Sequence, residues 1–230
     1  MELSKRLQAV ADLVSQGLVV ADVGTDHGYI PIYLIETGKC NKAFAMDINE
    51  GPLMRAKEHI AEYGFADKIQ VRQSDGVKSL NVGECQSVVV AGMGGALSIK
   101  IMEEGKDIFR SLREFVLQPQ SELAKVRQYL CENGYCVIAE DMVLEDGKFY
   151  PMMKVINEKS PTYSLMELRY GQKLLEQKHP VLQMFLKKEI QSKAMILKCL
   201  KSESGEHIQN RMKELEEEIV YAKKALEVYL

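Results

Sequence analysis

Short apolar runs alternate with helix-like spacing of apolar residues along the first 157 positions of the chain. Runs of four to six residues, the length of a buried strand, lie at 18–23, 42–47, 68–71, 87–91 and 114–117. Helical spacing is found at 3–14, behind the candidate N-cap Ser4, and at 52–62, 96–104 and 121–133. This alternation predicts a parallel sheet with helices on its faces. The run at 87–91 contains three consecutive valines, so we expect it at the centre of the sheet.

Two further apolar runs, at 135–144 and 148–156, are joined by the turn sequence Glu145-Asp146-Gly147 and predict a β-hairpin. Pro151 has no backbone N–H, so we expect the second strand of this hairpin at the edge of the sheet. The predicted order is helix–strand repeated five times and then a hairpin. This order is typical of an α/β, Rossmann-like doubly wound sheet with an antiparallel strand at one side.

The pattern changes after residue 158, where the strand signals end. Apolar residues then recur at spacings of three and four from Ile208 to Tyr229, which is a heptad seam about three repeats long. A less regular stripe runs from Leu182 to Leu200, and a turn is predicted at Ser202-Glu203-Ser204-Gly205. We therefore expect two domains, 1–158 and 159–230, the second an antiparallel helical hairpin in a monomer. The alternative is an intermolecular coiled coil, which allows a weak dimer.

Charge is unevenly distributed in this second domain, although the whole chain has a net charge of only −3. Residues 169–201 have a net charge of +6, and residues 203–218 have a net charge of −4. Pairing across the hairpin is one interpretation of this pattern. The other is that the basic helix follows a nucleic-acid phosphate backbone through Lys187, Lys188, Lys193, Lys198 and Lys201.

Cysteine usage and hydropathy exclude several other classes of protein. The five cysteines include no C-x-x-C pair, which argues against a zinc ribbon and a disulfide framework. No apolar stretch is long enough for a membrane span, and the first residues do not resemble a signal peptide. We expect a cytoplasmic protein with neither a metal nor a membrane partner.

The strongest chemical motif follows the first predicted strand. Asp22-Val23-Gly24-Thr25-Asp26-His27-Gly28 has the glycines and the following helix that a phosphate- or nucleoside-binding turn requires. Asp47 ends the second strand, where a carboxylate can accept hydrogen bonds from both ribose hydroxyls. A dinucleotide oxidoreductase would fit these two features equally well. The absence of G-x-G-x-x-G, the position of Asp22 and a third acid in Ser74-Asp75-Gly76 favour a Rossmann-like methyltransferase.

Further motifs make the resemblance more specific. The sequence resembles the bacterial TrmK family, the tRNA (adenine-22-N1)-methyltransferases, over essentially its whole length. The matching stretches are Leu3-Ser4-Lys5-Arg6-Leu7, Asp22–Tyr29, Ser74-Asp75-Gly76, Ala91-Gly92-Met93-Gly94-Gly95 and Leu117-Gln118-Pro119-Gln120. One departure from the wider methyltransferase pattern is Asp26, which stands where those enzymes have a middle glycine.

The resemblance implies S-adenosylmethionine as cofactor, with S-adenosylhomocysteine as product. The residues it implies for cofactor binding are Arg6, Asp22, Gly24, Thr25, Gly28, Asp47, Ile48, Asp75, Gly76, Gly92 and Met93. Asp47 would hold the ribose hydroxyls, and Asp75 would hold the adenine edge. Gly92 and Met93 would border the methyl group. Arg6 would lie near the cofactor or an RNA phosphate, although a surface arginine is more often only solvated.

Asp26 and His27 are candidates for the catalytic proton transfer that this reaction needs, with Tyr29 as a stacking or hydrogen-bonding partner. Methylation of N1 leaves the ring cationic until a proton leaves N6, and a carboxylate or an imidazole can accept that proton. The alternatives are local: Asp26 caps the next helix and His27 only fills the loop. His59, His179 and His207 are isolated in the sequence, so we expect structural roles for them.

The function expected from this resemblance is S-adenosylmethionine-dependent methylation of N1 of adenine-22 in tRNA. The target base has to be turned out of the folded RNA to expose N1. Two alternatives remain open from the sequence. The chain could methylate a small molecule or a protein, or it could be a non-catalytic adaptor that binds S-adenosylmethionine and recruits partners through its coiled coil.

Overall fold

The computed structural model describes residues 1–202 and 205–230. Contacts divide the chain into two compact units, Met1–Thr162 and Tyr163–Leu230. The first contains all strands of a seven-stranded sheet, and the second is helical throughout its regular elements in the described residues. None of the helices in the described ranges is both long and apolar enough to cross a membrane.

The sheet has the strand order β3-β2-β1-β4-β5-β7-β6. Its strands are β1 (Val20–Val23), β2 (Ala43–Asp47), β3 (Ile69–Gln73), β4 (Ser87–Met93), β5 (Glu114–Pro119), β6 (Cys136–Glu145) and β7 (Lys148–Ile156). The first five are parallel, and β7 is antiparallel to both β5 and β6. The predicted fold class is therefore confirmed. Val88, Val89 and Val90 of the central strand β4 are completely buried, because both faces of the sheet are covered.

Helices pack on both faces of this sheet, and the sheet separates two apolar cores. They are α1 (Lys5–Leu13), α2 (Tyr29–Glu36), α3 (Glu50–Glu62), α4 (Gly95–Glu104), α5 (Lys106–Ser111) and α6 (Leu123–Glu132). The predicted cap of α1 is present: Ser4 Oγ accepts a hydrogen bond from the N–H of Leu7 at 3.3 Å. This cap fixes the start of the helix that carries Arg6.

The connection between β3 and β4 differs from the predicted alternation. Residues 74–86, all of them described, form turns instead of an α-helix. Gly76 and Gly83 have positive φ angles, which interrupt a right-handed helix. The Ser74 hydroxyl also accepts from the N–H of Ser79 and donates to the carbonyl of Gly76, so it stabilises a turn. The expectation of five helix–strand repeats was wrong at this one step.

The position of Pro151 is a second correction. The strand that contains it, β7, lies between β5 and β6, and β6 is the edge strand. The ladder between β5 and β7 covers only Met153–Val155, so Pro151 lies beyond it and its missing N–H removes no hydrogen bond to β5. The interior strand β7 therefore accommodates Pro151, because at this position β7 extends past the end of its ladder with β5.

The second unit contains α7 (Leu165–Tyr170), α8 (Gln172–Glu176), α9 (Pro180–Leu200) and α10 (Glu206–Glu227). The last two form the predicted antiparallel hairpin: Tyr229 Oη, after the end of α10, donates to the carbonyl of His179 at the start of α9. On α10 the heptad positions Leu215 and Ile219 are buried. Two residues of the predicted turn, 203 and 204, lie outside the described residues.

Candidate active site

A cleft opens where the strand order reverses, between β1 and β4. In doubly wound sheets this reversal separates the loops that leave neighbouring strands, and ligands bind in the gap at the carboxyl ends. The cleft has a volume of about 320 Å³. The predicted site residues in its lining are Arg6, Asp22, Gly24, Asp26, Tyr29 and Gly92.

The turn after β1 forms one wall of this cleft. The N–H groups of Gly24 and Thr25 both donate to the carbonyl of Met46, at 2.8 and 2.9 Å. Gly24 has a φ of 75°, and a Cβ placed on it would lie only 2.1 Å from Met93 Cε. This position therefore requires glycine. Thr25 is buried, and a hydrogen bond with its side chain lowers the pKa of the Asp22 carboxyl group.

Asp22 places a buried carboxyl group in the lining of the cleft. The residue is 6% exposed. Burial raises the pKa of Asp22 to about 6; the hydrogen bond with the Thr25 side chain opposes the rise, the nearby carboxylate of Asp47 adds to it, and the guanidinium of Arg6 opposes it. Asp22 is therefore ionised at neutral pH. A buried negative charge beside a cavity favours a cationic ligand group.

The acids predicted at the ends of β2 and β3 are not among the residues that line the cleft. Asp47 Oδ1 accepts from the N–H of Asn49 at 2.7 Å. Asp75 forms an ion pair with Lys78, whose ammonium lowers the pKa of the Asp75 carboxyl. Ile48 is 55% exposed next to Asp47, so its apolar surface is available to a ligand. Gly76 follows Asp75 with a φ of 60°.

Hydrogen bonds connect the carboxyl ends of β4 and β5, on the opposite side of the strand reversal. Gln118 Oε1 accepts both the N–H of Gly92 and Arg6 Nη1, each at 3.1 Å. The N–H of Gln120 donates to the carbonyl of Met93 at 2.8 Å. Gly92 has a φ of 80° and interrupts the register of β4 with β5. These bonds hold the glycine-rich loop in place without filling the space above it.

Three rings stack beside the turn after β1. The ring centroids of His27 and Tyr29 are 5.2 Å apart, and His59 stacks 5.1 Å from His27 and 5.6 Å from Tyr29. His59 Nδ1 also lies 3.1 Å from the carbonyl oxygen of His27. Although His59 is isolated in the sequence, the packing of α3 brings its ring onto the turn.

Asp26 faces solvent next to these rings. Its Oδ1 lies 3.0 Å from Arg55 Nη2 and 3.4 Å from His27 Nε2. The alternative interpretation of Asp26 as a helix cap does not hold, since the N-cap of α2 is Gly28 and has no side-chain cap bond. Asp26 and His27 therefore form a carboxylate–imidazole pair at the rim of the cleft. Arg55 was not among the predicted site residues.

A sequence signal existed for some of the residues that were missed. Gln118 and Gln120 belong to one of the stretches that match the TrmK family, but nothing in the sequence separates their roles. Arg55 and His59 are four residues apart and so share one face of α3. Which loop this face contacts depends on the packing of α3 against β2 and the turn, which periodicity does not specify.

The basic residues of α9 fall into two groups. Lys187, Lys188, Lys198 and Lys201 are exposed. Lys193 is only 18% exposed and pairs with Glu189 at 2.6 Å and with Glu218 on α10 at 3.0 Å. For Lys193 we therefore correct the predicted RNA contact to an ion pair across the hairpin. No cluster of His, Cys, Asp and Glu in the described ranges has the arrangement of a metal site.

Fold and cleft together define a Rossmann-like protein with a nucleoside-binding crevice, and comparison with known proteins agrees. A family model described as a methyltransferase domain matches residues 3–153. The chain therefore belongs to the methyltransferase-domain family, and the relatives below place it with TrmK, as the sequence motifs predicted.

The tRNA (adenine(22)-N(1))-methyltransferase of Bacillus subtilis is 39% identical over 153 residues, which make up 66% of this chain. This matched region spans 64% of the length of the B. subtilis enzyme. The crystal structure of the B. subtilis M1A22 tRNA methyltransferase TrmK is 31% identical, with a TM-score of 0.87, and the match covers 98% of this chain and 99% of that chain.

Another relative was solved with a ligand. It is a putative tRNA (m1A22) methyltransferase from Streptococcus pneumoniae in complex with S-adenosyl-L-methionine. It is 31% identical, with a TM-score of 0.89, and the match covers 98% of this chain and all of that chain.

Proposed function

We propose that this chain transfers the methyl group of S-adenosylmethionine to N1 of adenine-22 in tRNA. The observation that carries the proposal is the cleft at the strand reversal, which brings Asp22, Asp26, Tyr29 and Gly92 together. The similarity to tRNA (m1A22) methyltransferases over nearly the whole chain supports the same activity. The relatives' names supply the base and its position in tRNA.

The residues of the cleft fit S-adenosylmethionine. Asp22 offers a buried negative charge to the cationic end of this ligand. The absence of a side chain at Gly24 lets a ligand approach the backbone of the turn. When bound, S-adenosylmethionine supplies an activated methyl group on a sulfonium centre.

The acids of the neighbouring strands hold the nucleoside part in this proposal. Asp47 accepts hydrogen bonds from the ribose hydroxyls, and the exposed side chain of Ile48 packs on the adenine ring. Asp75 and the N–H of Gly76 contact the edge of that ring. The ammonium of Lys78 lowers the pKa of Asp75 further below its usual range, so the carboxylate is an acceptor. Arg6, held by Gln118, borders the methionine end of the site.

Asp26 and His27 act on the target adenine in this proposal. Attack of the N1 lone pair on the methyl carbon, with the electrons of the broken carbon–sulfur bond kept by sulfur, would leave a positive charge on the ring. A proton then leaves N6 and restores neutrality. The carboxyl group of Asp26 stabilises that positive charge, and the Asp26–His27 pair accepts the proton. Tyr29 stacks with His27 and supplies a flat surface beside the base.

The second unit binds the body of the tRNA in this proposal. Exposed lysines on α9 contact phosphates through charge, without reading sequence. This assignment gives cofactor binding and chemistry to the first domain and tRNA binding to the second.

The proposal further assigns the chain to the cytoplasm, as a monomer. The hairpin supports the monomer because it buries Leu186, Leu215 and Ile219 between helices of one chain. A second copy is therefore not needed to cover the heptad seam. Size-exclusion chromatography with light scattering measures the mass directly, and a stable dimer would contradict this part of the proposal.

Transfer of a labelled methyl group tests the proposed function against its alternatives. The full chain is incubated with methyl-labelled S-adenosylmethionine and with tRNA, a protein extract or a pool of small metabolites. Label is expected in the tRNA alone. Label in protein or metabolites would favour another methyltransferase, and bound cofactor without any transfer would favour an adaptor.

A further inference from the structure

The cleft contains an amide side chain to which none of the roles above is assigned. Gln120 follows the last residue of β5 and lines the cleft. Its backbone bond to Met93 fixes it beside the glycine-rich loop. A Cβ added to Gly92 would lie 3.8 Å from Gln120 Nε2 and 3.5 Å from Arg6 Nη1. The amide and the guanidinium therefore both border the open space over Gly92.

The target base presents a specific pair of groups to such an amide. Adenine has a donor at N6 next to an acceptor at N7, and a glutamine or asparagine amide matches both with two hydrogen bonds. Arg6 has only donors, the carboxylate of Asp26 has only acceptors, and Tyr29 has a single hydroxyl. Among the cleft-lining side chains of the described residues, Gln120 alone has an amide that matches this pair.

When a protein group holds adenine by the edge that carries N6 and N7, N1 stays accessible. N1 lies on the other side of N6, so a base held by N6 and N7 can direct N1 at the methyl group. Guanine has an acceptor in place of the N6 donor, and the amide oxygen would face another acceptor there. We infer that Gln120 is a specificity-determining residue that holds the target adenine by N6 and N7; this inference rests on the proposed function.

The test removes N7 from the base and the amide from the protein, separately and together. A tRNA with 7-deazaadenine at position 22 lacks the N7 acceptor. Wild-type protein should show a kcat/KM about 5- to 10-fold lower on this tRNA than on ordinary tRNA. Gln120→Leu should lose about 10-fold or more on ordinary tRNA and nothing further on the 7-deaza tRNA. The KM for S-adenosylmethionine should not change.

Two variants keep this result interpretable. Gln128→Leu replaces an exposed glutamine on α6, away from the cleft lining, and should behave like the wild type on both tRNAs. Gln120→Glu keeps the size and the acceptor but loses the donor to N7, so it should also be insensitive to removal of N7. Thermal denaturation of each variant verifies that it is folded.

Several outcomes would overturn the inference. An equal loss on 7-deaza tRNA in wild type and Gln120→Leu would mean that another group contacts N7. No loss in the wild type would mean that N7 is not contacted. A raised KM for S-adenosylmethionine in Gln120→Leu would assign the amide to the cofactor. Wild-type protein without activity on ordinary tRNA would refute the proposed function itself, and the inference with it.

Discussion

The carboxyl group of Asp22 is buried, with Asp47 and Arg6 near enough to act on its charge. A buried acid destabilises the native state when it is ionised, because the unfolded chain hydrates the charge better. Asp22 retains this charge next to the cleft, in the position where the proposal needs an anion. The residue therefore reduces stability in favour of binding.

Replacing Asp22 with Asn should reveal that cost. The pKa of Asp22 is about 6 in the native state against a usual 3.8, so between these values the native state binds more protons than the unfolded state. Stability therefore falls as pH rises through this window. Asp22→Asn should be more stable than wild type by about 1–3 kcal/mol at pH 8, and the difference should shrink towards pH 4.

Urea denaturation across this pH range measures the difference in the free energy of unfolding. A difference that stays constant from pH 8 to pH 4 would contradict the raised pKa. Binding of S-adenosylmethionine by the same variant, measured by calorimetry, should be weaker than in the wild type.

Asp26 is exposed and paired with Arg55 and His27, so its replacement should affect chemistry and leave the fold intact. Asp26→Asn keeps the shape but removes the negative charge. We expect kcat for tRNA methylation to fall by about 10²- to 10⁴-fold, the usual contribution of a general base, while affinity for S-adenosylmethionine is unchanged. Single-turnover kinetics at saturating cofactor measures the loss. Unchanged turnover would remove Asp26 from the mechanism.

Among the elements, the loops that begin α4 and α6 depend on a close approach of two backbones. A Cβ added to Gly95, the first residue of α4, would lie 2.5 Å from the carbonyl oxygen of Ser121. The Ser121 hydroxyl also accepts the N–H of Gly95 at 3.2 Å. The two loops that border the cleft are thus held together at a point where only glycine fits.

Two glycine-to-alanine substitutions in helices should have opposite effects. Gly95→Ala forces the loops apart and should destabilise the protein by about 1–3 kcal/mol. Gly51→Ala in α3 meets its nearest atom, Arg55 Nη1, at an ordinary 3.7 Å and should stabilise by up to about 1 kcal/mol, since alanine favours a helix. Chemical denaturation compares the two, and similar effects would show that backbone proximity at Gly95 is unimportant.

The sequence predicted which segments form strands better than it predicted which strands lie next to each other in the sheet. Periodicity identified each strand, and the three valines of β4 correctly indicated the central position. It did not reveal that β7 lies inside the sheet, because the position of Pro151 relative to β5 depends on how far each strand extends. The turns between β3 and β4 were also missed, since their hydrogen bonds come from Ser74 and not from an apolar pattern.

The site residues that belong to recognisable sequence motifs were predictable. Glycines and acids at strand ends have a physical meaning in the sequence, so Asp22, Gly24 and Gly92 could be expected in the cleft. The contact of His59 with His27 could not be predicted from the sequence, because it depends on which face of α3 packs against the turn. Tertiary packing supplies such contacts.

On the scale of the whole molecule, the two units divide the proposed work. The first carries the cleft, and the second carries a basic helix beside an acidic one. Ion pairs such as Lys193–Glu218 neutralise part of this charge within the hairpin. The exposed lysines of α9 remain as the surface proposed for RNA phosphates.

Replacing three of these lysines should weaken tRNA binding without affecting the cofactor. The variant combines Lys187→Ala, Lys198→Ala and Lys201→Ala. Each phosphate contact releases counterions, so the slope of log affinity against log salt should decrease by about 2–3. Filter binding over a salt series measures it. The matched control replaces Lys213, Lys223 and Lys224 on α10, and an equal decrease in both variants would contradict a specific role of α9.

The position of the transferred methyl group tests the central claim most directly. The full chain is incubated with S-adenosylmethionine and a tRNA transcript that has adenine at position 22, and the digested RNA is analysed by mass spectrometry. The account predicts one added methyl group, on N1 of adenine-22. A methyl group on another atom or nucleotide, or an unmodified transcript, would contradict it.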